Sequence, residues 1–137
     1  MSVHTRSQRL AESAFGCIEA RIKGKDFGDY ETVARKFPAL IHTCGLAQAV
    51  AFAQSKRKKE KPTGGAECEY LADLAAVLKA GGHNELANGD SLASHTRSDP
   101  VTSYLRLSRD AIDAAVWLKR YAEALSESAT PTPEDKK

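Results

Sequence analysis

From Pro38 to Ala53 the chain runs sixteen residues without an Asp, Glu, Lys or Arg, and then meets Lys56, Arg57, Lys58, Lys59 and Lys61 in quick succession. No other feature restricts the fold as much. Pro38 suits the first turn of a helix, where its missing N–H has no intrahelical partner to lose. At about 100° per residue, Phe37, Leu40, Ile41, Cys44, Ala51 and Phe52 share one face, while Leu46, Val50 and Ala53 point the other way. A helix that is apolar nearly all round needs neighbours on several sides. The run therefore predicts a central helix over 38–55, enclosed in a bundle and ending in a cationic knob. A membrane span needs about 20 predominantly apolar residues. This run is shorter and includes His42, Thr43, Gly45 and Gln48, so no membrane partner is expected. Gly45 in mid-helix is unfavourable by about 1 kcal/mol against Ala. It predicts close approach of another helix, with a kink as the alternative.

The rest of the chain reads as helix too. Leu10, Ala11, Ala14, Phe15, Ile18 and Ile22 recur at helical spacing over 5–23, and Gly24 ends that stretch. Asp29 caps a short helix to about Lys36, which Phe37-Pro38 breaks because the residue before proline is pushed out of the helical region. Pro62-Thr63-Gly64-Gly65 is a loop. A helix over 66–80 follows, with Tyr70, Leu71, Leu74, Val77 and Leu78 as its stripe and Gly81-Gly82 as a left-handed stop. Residues 83–98 are polar and predict a long loop with Asn88-Gly89-Asp90 at a turn, or at most a helical turn near Leu86 or Leu92. Asp99-Pro100 opens the last helix, whose stripe includes Tyr104, Leu107, Ala111, Ala115, Leu118 and Leu125. The expected fold is all-α: one helical bundle domain over 1–125, of about five or six helices around a central apolar helix. Residues 126–137 have little to bury and predict a disordered C-terminal tail.

Cys17, Cys44 and Cys68 are an odd set without a close pair, expected as small buried hydrophobes in a reducing compartment. The N-terminus has no signal-peptide core, which predicts a cytoplasmic protein. His42 and Cys44 are too far apart around a helix to act as nucleophile and base. Cys68, His83 and His95 match no zinc-finger spacing, and no Walker-type phosphate loop exists. Asp110 and Asp113 read as solvated groups. No enzyme activity, cofactor or metal is expected.

Charge is the feature with direct consequences. The formal net charge is +2, yet residues 1–68 carry +5 and residues 69–137 carry −3. Lys56, Arg57, Lys58, Lys59 and Lys61 at a helix C-terminus suit the macrodipole and read as a solvated cap. The functional alternative is contact with backbone phosphates. Arg35 and Lys36 form a smaller basic site, roughly 30 Å away along a continuous helix. Trp117 and Tyr121 lie on the wheel beside Arg106. They predict a wide buried face or a protein-contact patch.

Two stretches together resemble a known family. Phe37-Pro38-x-Leu40-Ile41-x-x-x-Gly45-Leu46-x-Gln48-Ala49-x-Ala51-Phe52, followed by the lysine-rich turn, is similar to the small helical subunit of the type III-B CRISPR Cmr effector complex. The late segment Tyr104-Leu105-x-x-Ser108-x-x-x-Ile112-x-Ala114-Ala115-x-Trp117-Leu118-Lys119-Arg120 is similar to that family's closing helix, and Gln8-x-x-Ala11 fits its opening one. The likeness covers about residues 5–125. It implies a non-catalytic subunit that stacks as several copies in the minor filament of a crRNA-guided complex of antiviral defence. Its partners would be other Cmr subunits, copies of itself, crRNA and target RNA. RNA contact would then fall first on Lys56, Arg57, Lys58, Lys59 and Lys61, and second on Arg35 and Lys36. The alternative is a helical protein-interaction module, joined through Trp117 and Tyr121, without nucleic-acid binding.

Overall fold

Pro38 lies inside a helix, not at the start of one. The computed structural model describes residues 3–24, 27–57 and 64–129, and its second helix, α2, spans Phe27–Cys44. An interior proline removes a hydrogen bond and crowds the preceding turn, at about 3 kcal/mol. Burial of Tyr30, Ala34, Phe37, Pro38 and Ile41 along one face offsets this. Each large apolar side chain taken out of water contributes about 1.5–3 kcal/mol. The expected break at Phe37-Pro38 is therefore absent.

The break comes at Gly45 instead. Its φ of +86° and ψ of 159° are open to glycine and strained for any side chain. Its N–H still donates to the Ile41 carbonyl at 2.8 Å, and its own carbonyl accepts from Ala49 N–H at 3.0 Å. One helix ends and the next, α3 (Leu46–Ser55), begins on the same residue. Tyr104 joins in from the last helix, its hydroxyl accepting the orphaned Ala47 N–H at 3.1 Å. A Cβ at Gly45 would meet that hydroxyl at an ordinary 3.8 Å. Gly45 thus supplies a backbone conformation, not room for a neighbouring helix, and the continuous helix over 38–55 is two helices.

The restart resets the helical phase. Ile41 is buried at 3% exposure, but Cys44 is exposed and Phe52 is 51% exposed. The expectation that these three share a buried face fails at Cys44, the last residue of α2, and at Phe52, beyond Gly45. Leu46, Ala49, Val50 and Ala53 are the residues of α3 that enter the core.

The remaining helices are α1 (Arg6–Arg21), α4 (Ala66–Ala80), α5 (Gly89–Ser98) and α6 (Val101–Ala129), with no strand among the described residues. The all-α single-domain bundle expected from periodicity is what forms. The apolar helix at its centre is α4, which packs against each of the other five. It buries Tyr70, Leu71, Leu74, Ala75, Val77 and Leu78, and its ends match the predicted 66–80. Gly82, at φ +120°, closes it, and His83 N–H returns to the Leu78 carbonyl at 3.0 Å. On α6, small Ala111, Ala114, Ala115 and Ala122 alternate with Leu107 and Leu118 in the core. This helix passes residue 125 and reaches Ala129, and residues 130–137 lie outside the described ones.

The segment 83–98 is not a long loop. Asn88 Oδ1 accepts Ser91 N–H at 2.9 Å and caps α5, and Leu92, Ala93 and Thr96 turn inward together. Leu86, just before it, is also buried. A buried carboxylate ties three helices. Asp73, 7% exposed, accepts from Arg21 Nε at 2.9 Å, Arg21 Nη2 at 3.1 Å and Tyr30 Oη at 2.6 Å. Such a charge belongs in a core only when paired and hydrogen-bonded. Among the described residues no helix is long and apolar enough to cross a membrane.

Candidate nucleic-acid interface

The end of α3 is closed by short local bonds. Lys56 N–H donates to the Ala53 carbonyl and Arg57 N–H to that of Gln54, each at 3.1 Å, and the Ser55 hydroxyl donates to the Phe52 carbonyl at 2.6 Å. This tightening turns Lys56 and Arg57 into water, and both are exposed. The Lys56 ammonium stands 5.0 Å from the centroid of the Phe52 ring. Arg57 Nη2 is 3.8 Å from Asp90 Oδ1 at the start of α5. Both side chains of that pair are largely solvated, so it is worth at most about 1 kcal/mol and leaves the guanidinium reachable. Gln54, Arg57, Cys68, Leu71 and Asp90 line a groove of about 180 Å³ beneath it. Lys58, Lys59 and Lys61 fall outside the described residues.

The smaller basic site is partly answered. Arg35 Nε lies 3.7 Å from Glu123 Oε2 on α6, an exposed pair, while Lys36 is exposed. Because α2 and α3 are separate helices, the two basic sites do not sit at opposite ends of one rod.

Trp117 and Tyr121 are both partly buried. Their rings stack at 5.7 Å, and Tyr121 meets Phe15 of α1 edge-on at 5.5 Å. Arg106 is exposed and stands eleven positions earlier on α6, about 16 Å along the axis. More apolar surface is open near that end, with Val101 at 73% and Leu105 at 61% exposure.

Asp110 is not the solvated group its sequence context suggests. It accepts from Arg6 Nη2 at 2.6 Å and faces His83 Nε2 at 2.7 Å, with its side chain only 14% exposed. His95 Nδ1 pairs with Asp99 at 2.8 Å. Cys68 lines the groove by Arg57, whereas His83 and His95 line a different one with Arg6 and Arg106. The three are not brought together. Among the described residues no group of three or more His, Cys, Asp or Glu side chains is placed to hold a metal ion. The Cys17 thiol is pushed up to about 12, first by burial and then by the Asp73 charge.

Sequence reasoning missed the exposed Phe52 and the Tyr104 hydroxyl at the helix break. A positive-φ glycine restarting the phase was the signal for the first. Nothing local marks the second.

The family model described as "CRISPR-associated protein (Cas_Cmr5)" matches residues 6–125. The chain belongs to the Cmr5 family. A "CRISPR system Cmr subunit Cmr5" from Thermus thermophilus is 38% identical over 125 residues, covering 91% of this chain and 99% of that one. The crystal structure of a CRISPR-associated Cmr5 family protein, also from Thermus thermophilus, superposes with a TM-score of 0.76 at 36% identity, over 90% of this chain and 98% of that one. The Cmr5 match starts with α1 and ends within α6. The Gly45 break, the end of α3 and the Tyr104 contact all lie within the Cmr5-like region.

Proposed function

We propose that this chain is a non-catalytic small subunit of a type III-B CRISPR Cmr effector complex, acting in the cytoplasm in antiviral defence. It stacks with copies of itself in the minor filament and contacts the backbone of crRNA and target RNA. The observation that carries the RNA role is the end of α3, where Lys56 and Arg57 are held in water by the last turn of the helix. Lys58, Lys59 and Lys61 follow at once in the sequence. Phosphate contact by such a cluster recognises charge and shape, and guide–target pairing reads the bases. Arg35 and Lys36 are the secondary contacts, and Arg35 must leave Glu123 to reach a phosphate.

Membership of the Cmr5 family supports the assembly role, since relatives carry the name of a Cmr subunit. Contacts to neighbouring subunits are assigned to Trp117, Tyr121 and Arg106. Val101 and Leu105 add apolar surface on the same helix. Chemistry is left to other subunits.

The test is reconstitution with the other Cmr subunits and crRNA. Arg57→Glu, Lys58→Glu and Lys59→Glu together should weaken retention of RNA while the isolated chain keeps its helical content and melting temperature. Unchanged RNA retention would remove the proposed surface. A chain that joins no Cmr subunit would remove the whole assignment.

A further inference from the structure

We propose that Phe52 is a stacking platform for an unpaired base of single-stranded RNA, flanked by the phosphate-binding cations Lys56 and Arg57. The inference rests on the RNA reading above and adds to it a base contact that charge alone does not supply.

Phe52 is the one exposed Phe, Tyr or Trp side chain among the described residues. Its position is set by α3 itself. Leu46, Ala49, Val50 and Ala53 take the inward face, so Gln48, Phe52, Ser55 and Lys56 form the outward one. An isolated phenylalanine there would be unremarked surface. Here its ring lies one turn before Lys56, whose ammonium is 5.0 Å from the ring centroid. Arg57 follows, and Lys58, Lys59 and Lys61 come next in the sequence.

The arrangement has two chemical halves. Aromatic rings accept the face of any base, which makes stacking indifferent to sequence. Adjacent ammonium and guanidinium groups take the phosphates on either side of that base. The cation already held at the ring shows that Phe52 and a positive charge share one small patch, so a nucleotide finds both halves of its chemistry together. A protein partner would use the same ring as an apolar anchor, but five cations within six positions suit a polyanion better. A duplex hides its base faces and gains nothing from the ring. The occupant is therefore a single strand.

The test uses the full chain and three probes: a mixed-sequence single-stranded RNA, an abasic strand of the same length, and an RNA duplex. Wild type should prefer the base-bearing strand to the abasic one by about tenfold. Phe52→Ala should lose that preference, bind the abasic strand and the duplex as wild type does, and leave the salt dependence intact. Phe52→Trp should keep the preference, and Phe52→Leu should behave as Phe52→Ala, since it restores apolar bulk without a π-face. If Phe52→Ala changes nothing while charge reversal at Arg57, Lys58 and Lys59 weakens binding, the inference fails and the RNA reading stands. If Phe52→Ala spares RNA but weakens entry into the effector complex, the ring is a protein contact and the inference fails. If wild type binds none of the three probes, both fall.

Discussion

Arg6, Arg21 and His83 each meet a carboxylate, at 2.6, 2.9 and 2.7 Å, whereas Lys56 meets the ring of Phe52 and no carboxylate among the described residues. Both groups are cationic or can become so, yet they serve different ends. Arg21 is spent on holding Asp73 and with it α1, α2 and α4. Arg6 and His83 converge on Asp110 and tie α1 and the turn after α4 to α6. Lys56 and Arg57 hold little of the fold, because their turn is closed by backbone bonds. Net charge is therefore a poor guide to what this protein binds. The useful quantity is the charge left over once internal carboxylates have been answered.

This division breaks most visibly if a paired charge is orphaned. Asp73→Ala leaves Arg21 and the Tyr30 hydroxyl without their acceptor and should destabilise the chain by about 3 kcal/mol, the range for one partner lost from a buried pair. Urea unfolding measures it, and RNA affinity under native conditions should be unchanged. A small loss of stability would mean that Asp73 holds the helices less than its hydrogen bonds indicate. Gly45→Ala acts on the scaffold that presents the open cations. A side chain at φ +86° is strained by about 1–3 kcal/mol, so thermal unfolding should shift downward. The smallest effect sharpens the contrast from the other side. Asp90→Asn removes the exposed partner of Arg57 and should change stability by under about 0.5 kcal/mol. RNA affinity should rise by about twofold, a change of the same size. A fall in affinity would show that Asp90 positions Arg57 for its ligand.

How far the sequence foretold this varies with the segment. The 66–80 helix was legible at both ends because Gly65 and Gly81-Gly82 bracket an unbroken apolar stripe. The 27–55 region was not. Pro38 is a start signal and Gly45 a stop signal, and local propensity ranks proline as the stronger breaker. Packing of Tyr30, Ala34, Phe37 and Ile41 overrode the proline, and the positive φ was realised at the glycine. A wheel drawn through Gly45 then put Phe52 on the wrong face. The 83–98 segment was misread because Asn88-Gly89-Asp90 looks like a turn, although asparagine before a helix is also a cap. At the interface, exposure of Lys56 and Arg57 followed from composition and the helix end. The pairing of Arg35 with Glu123 and of Arg6 with Asp110 crosses 88 and 104 positions of sequence and leaves no local trace.

The salt dependence of single-stranded RNA binding tests the open cluster most directly. With Lys56, Arg57, Lys58, Lys59 and Lys61 all on phosphates, the logarithm of affinity should fall against the logarithm of salt with a slope of about −3.5, the single-strand value for five contacts. Reversing Arg57, Lys58 and Lys59 to Glu should reduce that slope by about 2. A slope that is already near zero in wild type, or that the three substitutions leave in place, would contradict the assignment of RNA to this end of α3.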